Sequence, residues 1–182
     1  DERRRFAQVS HEYLIEQVQH EGAVSATAAG SSANITVNYN HPVKYIAWVV
    51  EHPEVPLLFC QLEPPHDNVG TAGGNEGSAK LMLNGNDRFE PRPMSYFTTV
   101  QANQHFPGHP PAERIAVYSF ANNPTEHQPS GTCNFSRIDN ATLHLTLSSE
   151  ITSSAPAKVR VYATNYNVLR IMSGMGGLAY SN

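Results

Sequence analysis

The sequence predicts an all-β fold: an antiparallel sandwich with long loops and little helix, for which jelly-roll and immunoglobulin-like topologies are the two candidates. Three observations carry this expectation. Apolar residues recur at period two in several short runs, those runs are rich in β-branched and aromatic residues, and Pro and Gly clusters separate them where an α/β protein would place amphipathic helices. Against the immunoglobulin variant, Cys60 and Cys133 both lie after Trp48 and do not bracket it.

Taken in order, residues 2–9 form a short helix, after which residues 13–18 either continue it or make the first strand. Strands follow at residues 34–40, at 45–50, and at 57–60. The run Tyr45-Ile46-Ala47-Trp48-Val49-Val50 is apolar on both parities, as a strand covered on both faces would be. Residues 79–83 alternate and run into Asn84-Gly85, a pair suited to the positive φ angles of a tight hairpin. One helical turn is expected at residues 96–100, then a second doubly apolar strand at 115–120. The clearest alternation is Thr142-Leu143-His144-Leu145-Thr146-Leu147-Ser148, with three leucines on one face. Residues 159–163 complete the set. The Gly-rich stretch 68–78, Pro107-Gly108-His109-Pro110-Pro111 and Pro129-Ser130-Gly131 read as loops, the last as a turn.

At 182 residues and 20.0 kDa the chain is one domain able to bury its own core. Twelve Lys+Arg against sixteen Asp+Glu give a formal charge of −4, so no basic surface for direct nucleic-acid binding is expected. No apolar run approaches the roughly 20 residues needed to cross a bilayer, so no membrane insertion is expected and the chain reads as soluble and globular. The opening Asp1-Glu2-Arg3-Arg4-Arg5 shows no initiator Met and no secretory signal, and the start of the protein is expected upstream.

The search for chemistry yields little. Nine histidines include no HExxH pair, and His105 and His109 are separated by Phe106-Pro107-Gly108, which no helix accommodates, so no metal is expected. His144, flanked by leucines, belongs on an outward or interface face. Glu126, His127, Ser130 and Cys133 could be read as a nucleophile with its base, but no GxSxG elbow is present. The cysteines read as reduced, buried thiols. Arg137 and Asp139, two apart, are expected to pair if the strand is extended. Gly174-Met175-Gly176-Gly177-Leu178-Ala179 spells a dinucleotide fingerprint, yet only three residues follow it and no helix can hold a pyrophosphate. Asn34, Asn134 and Asn140 head glycosylation sequons by spelling, and are read first as polar residues of strands and turns. Neither catalysis nor a cofactor is expected.

Two long strings are highly specific: Glu126-His127-Gln128-Pro129-Ser130-Gly131-Thr132-Cys133-Asn134-Phe135-Ser136-Arg137-Ile138-Asp139-Asn140-Ala141-Thr142-Leu143, and Asn165-Tyr166-Asn167-Val168-Leu169-Arg170-Ile171-Met172-Ser173-Gly174-Met175-Gly176-Gly177-Leu178-Ala179. With residues 2–8, 13–19 and 83–89 they closely resemble the major capsid protein family of the nucleocytoplasmic large DNA viruses, over essentially the whole chain. The resemblance implies an eight-stranded antiparallel jelly roll, the second of two in each family member. Residues 1–22 would then hold the connecting segment and first strand, and residues 13–182 the C-terminal roll. It implies a structural role in the virion capsid, assembled in the host cytoplasm. The partners would be further copies in a homotrimer of pseudo-hexagonal outline, neighbouring capsomers, an N-terminal jelly roll of the same protein, and minor capsid proteins. Glu126, His127, Gln128, Pro129, Ser130, Gly131, Asn134, Arg137, Asp139, Asn165, Asn167, Arg170, Gly174 and Gly177 would be its structural motif residues. Residues 159–172 are expected central in a sheet, with 174–177 letting the chain turn closely against it. The alternative is a carbohydrate-binding jelly roll, drawing on Trp48 and the eight tyrosines. A cupin-like enzyme would need a metal.

Overall fold

The computed structural model of the chain describes residues 1–26, 32–51, 77–108, 115–146 and 156–181. The expected strand at 57–60, with Cys60, His109 and Leu147, lies outside the described residues. After helix α1 (Glu2–Gln8) come β1 (His11–Ala26), β2 (Ser32–Thr36), β3 (Pro42–Glu51), β4 (Ser78–Leu83), β5 (Asn86–Asp87) and β6 (Arg92–Pro93). A π-type turn, Tyr96–Val100, leads into α2 (Gln101–His105), followed by β7 (Ala116–Ser119), β8 (Cys133–Asn134), β9 (Ala141–Thr146), β10 (Ala157–Met172) and β11 (Met175–Leu178).

The strands form two antiparallel sheets. One follows the path β1-β10-β3-β7, with β11 added to β10 and β8 to β3; the other follows β2-β9-β4-β5, with β6 added to β4. Counting only the eight strands on these paths in chain order, the sheets read 1-8-3-6 and 2-7-4-5, the interleaved order of an eight-stranded jelly roll. The two-residue ladders β6 and β8 and the terminal β11 are additions to that frame.

Alternation decides the core. Leu143 and Leu145 of β9 point inward with Leu81 of β4 and Ile35 of β2, facing Ile46, Trp48, Val159 and Val161 from the opposite sheet; all are buried. Phe97 closes one side of this core, its ring 5.1 Å from Trp48. Tyr39, which follows β2, ties the sheets together by donating its hydroxyl to the Val161 carbonyl at 2.8 Å. Burial and the nearby Glu21 carboxylate push that phenol far above the ordinary tyrosine range.

Two hairpins turn on residue pairs with positive φ: Asn84 (51°) with Gly85 (79°), and Ser173 (51°) with Gly174 (79°). Both angles positive is the type I′ geometry that matches strand twist, and only Asn-Gly was legible as such. The segment 115–120 is covered on both faces at β7, where Val117 and Ser119 are buried beneath α2 and Gln101 Oε1 accepts from Ser119 N at 3.3 Å. The expectation of double coverage is only half met at β3: Ile46 and Trp48 are buried, but Tyr45, Ala47 and Val49 are half-buried. Residues 13–18 belong to a strand, and β1 and β10 each extend over 16 residues, far beyond the segments expected. β10 is central, between β1 and β3, as expected.

Candidate functional site

The one buried charge of the described core is Lys44. Between the Val43–Asn165 and Tyr45–Thr164 pairs the register of β3 against β10 slips, leaving Lys44 as the extra residue of a bulge. Its side chain is 1% exposed, and its Nζ donates to Glu16 Oε1 of β1 at 2.6 Å and to the Glu126 carbonyl at 3.4 Å, lying 5.1 Å from the centre of the Tyr166 ring. A buried ammonium needs such partners, since an unpaired one would cost several kcal/mol. The chain after β7 covers this site because Phe120 N and Ala121 N both donate to the Lys44 carbonyl, at 2.8 and 3.2 Å.

The first sequence motif is this cover. Glu126, His127, Gln128 and Pro129 are exposed; what Glu126 contributes inward is its backbone carbonyl. Ser130 Oγ accepts from Asn123 N at 2.9 Å, which holds the loop closed on itself. The turn expected at Pro129-Ser130-Gly131 lies instead at Asn123 to Glu126, where Glu126 N donates to the Asn123 carbonyl. Gly131 serves another purpose: its φ is +146°, and a Cβ there would stand 2.7 Å from the Phe120 carbonyl oxygen. Asn134 Oδ1 accepts from Ser136 N, capping the 3₁₀ turn Phe135–Arg137, and Ser136 Oγ accepts from His41 N.

That 3₁₀ turn corrects the Arg137–Asp139 expectation. The chain there is not extended, both side chains are exposed, and no ion pair joins them. Asp139 is held through its backbone: Asn84 Oδ1 accepts from both Asp139 N (2.9 Å) and Asn140 N (3.2 Å). The acid, imidazole, hydroxyl and thiol of the 126–133 segment are not hydrogen-bonded to one another, and burial pushes the Cys133 thiol upward, away from nucleophilic character. Cys133 is half-buried and free. Among the described residues no three His, Cys, Asp or Glu side chains converge as a metal site would require.

The second motif organises the far end of β10. Asn165 is fully buried, its Nδ2 donating to the Tyr166 carbonyl while its Oδ1 has no partner. Asn167 Nδ2 donates to both Gln17 Oε1 and the Tyr180 carbonyl, each at 2.9 Å, linking β1, β10 and the chain after β11. Arg170 pairs with Glu12 across the strands at 2.7 Å, both half-exposed. Gly174 makes the turn, but Gly177 lies within β11, opposite Arg170, with no atom within 4 Å of where its Cβ would be. The chain does turn back closely against β10, as expected, since Met175 to Leu178 pair with Met172 to Leu169; the positive φ of Gly174 serves the turn, while Gly177 would have room for a side chain.

Trp48, on which a glycan-binding surface would depend, is fully buried and offers no ring face to a ligand. Asn34, Asn134 and Asn140 are all exposed. His144 is half-buried on the outward parity of β9.

The family model for the large eukaryotic DNA virus major capsid protein matches residues 2–177. The chain belongs to this capsid protein family. Among relatives of this capsid-family chain, the major capsid protein of Pyramimonas orientalis virus is 47% identical over 204 residues, covering 100% of the chain and 46% of the relative. That of Paramecium bursaria Chlorella virus 1 is 44% identical, covering 100% and 51%. The chain therefore spans about half the length of the curated relatives it matches. The crystal structure of PBCV-1 VP54, fitted into a reconstruction of the virophage Sputnik, superposes with a TM-score of 0.77 at 42% identity, covering 100% of this chain and 54% of that one. The major capsid protein P2 of bacteriophage PM2, at 8% identity and a TM-score of 0.53, shares the fold alone.

Proposed function

We propose that this chain is one half, the C-terminal jelly roll, of a major capsid polypeptide whose role is to build an icosahedral shell and which carries out no catalysis. The carrying observation is the superposition, at a TM-score of 0.77 and 40% identity over the whole chain, on a subunit of the PBCV-1 virus capsid. In this reading residues 1–22 connect to a preceding roll and supply the first strand, and residues 13–182 form the second roll. The protomers assemble as trimers that meet neighbouring trimers and minor capsid proteins, with assembly in the host cytoplasm.

The physical fit is in the division of labour. Two sheets locked by a common core hold a fixed wedge, while the loops leave from its ends and can vary without disturbing it. Three of the motif residues fit service to the wedge: Gly131 lets its loop pass close to the Phe120 carbonyl, Asn134 caps the 3₁₀ turn, and Asn167 ties β10 to Gln17 and to the chain after β11. The test is the subunit composition of particles purified from the natural source. A polypeptide containing residues 1–182 as the principal shell protein supports the reading; its absence from the shell overturns it.

A further inference from the structure

Among the described residues, every exposed large apolar side chain except Val100 lies in residues 6–24 or 162–180, on α1, β1, β10, β11 or the chain beside them, with Tyr13 and Leu178 on one face of the strands and Val18, Tyr162, Met172 and Met175 on the other. The strand pairing explains why. β3 leaves β10 at the Val43–Asn165 pair, but β10 continues to Met172 between β1 and β11, so a three-stranded ribbon overhangs the sandwich. On it Tyr13, Leu169 and Leu178 stand in one row across the three strands. Leu169 has the parity of Val159 and Val161, so this row continues the inner, core-facing side of the sheet. An inner face is normally covered by a second layer about 10 Å away. Here Tyr13 is 47% and Leu178 48% exposed. In the adjoining row the Phe6 ring stacks on His11 at 3.9 Å, and α1, which carries Phe6, buries none of its residues.

We infer that this row, Tyr13–Leu169–Leu178, is covered by apolar side chains of the same polypeptide from outside residues 1–182. The inference rests on the capsid-half reading and adds to it the contact surface. The row itself is uncharged, which favours an apolar protein surface over a polyanion as its cover, while Arg3, Arg4 and Arg5 of the neighbouring α1 are exposed. The relatives matched over the whole of this chain carry roughly as much again beyond the matched half. A tethered partner acts at an effective concentration of about millimolar, which a free second copy does not reach, so the tethered segment takes the uncovered face first.

The experiment places p-benzoylphenylalanine at position 13, and separately at 178, in the full-length polypeptide, followed by irradiation and peptide mapping. Tyr13 already carries an aromatic ring, and both substitutions keep the row apolar. The expected product runs at the mass of a single subunit, with its cross-link mapped to a peptide outside residues 1–182. A product of twice the subunit mass, or a cross-link within residues 1–182 of another copy, overturns the inference, as does failure to cross-link from either position. Hydroxyl-radical labelling of the free full-length subunit provides a second readout: labelling of Tyr13 and Leu178 at least tenfold lower in the native subunit than in the same subunit unfolded by heat is expected, and equal labelling overturns it. Failure of the capsid reading is separate, since it appears as absence of the polypeptide from particles whatever the cross-link shows.

Discussion

Removing the carboxylate from the Lys44–Glu16 pair is expected to cost more than removing the lysine. The Lys44 ammonium is 1% exposed and Glu16 37% exposed, so in Glu16→Gln the charge left behind stays buried, whereas in Lys44→Met the charge left behind faces water. Breaking a buried pair from one side costs about 3–5 kcal/mol, and the partial exposure of Glu16 reduces this to about 2–3 kcal/mol. Lys44→Met replaces the ammonium with a side chain of similar length in an apolar slot, at a cost below about 1 kcal/mol. The double substitution should match Lys44→Met alone. Trp48, the single tryptophan, is fully buried and reports unfolding by fluorescence in urea. With a slope of about 2 kcal/mol/M, Glu16→Gln should lower the midpoint by roughly 1–1.5 M and Lys44→Met by under about 0.5 M. If Lys44→Met proves the more damaging, or the double substitution is additive, the account of the bulge as a site for one neutralised buried charge is wrong.

Gly131→Ala meets both a φ of +146° and the Phe120 carbonyl at 2.7 Å, and should cost about 2–3 kcal/mol in thermal unfolding. Gly177→Ala, in open space on β11, should stay within about 0.5 kcal/mol. Asn84→Ala removes the acceptor for Asp139 N and Asn140 N and places Ala at a φ of 51°, which should cost about 1–2 kcal/mol and speed amide exchange at residues 139 and 140. Tyr39 ionises in the unfolded chain near 10.0 but far higher when folded, because of burial first and Glu21 second. Its stabilising share is therefore complete below about pH 10 and is lost as pH rises from there toward the folded value; Tyr39→Phe should flatten that decline in alkaline urea titrations.

Much of this fold was legible because its strands alternate against a core. Residues 142–146 read correctly, since Leu143 and Leu145 face inward with nothing to break the period. The Asn84-Gly85 hairpin was legible from the chemistry of its two residues, while Ser173-Gly174 was not, because serine gives no strong sign of positive φ. The lengths of β1 and β10 were hidden for a physical reason: an edge strand and an overhanging ribbon bury too little to impose period two, and the bulge at Lys44 shifts the parity of one neighbour. Lys44 itself went unremarked, although a lone charge beside Val43, Tyr45 and Ile46 in the most apolar strand was the available signal. The turn at Pro129-Ser130-Gly131 was misplaced because Gly131 answers to Phe120, a contact across the loop that no local pattern encodes.

The most direct test of the central claim is the mass of the protein from its natural source, first denatured and then native. The account predicts a subunit about twice the 20.0 kDa of this chain, the size a second jelly roll would add, assembled in threes. A 20.0 kDa monomer would contradict it.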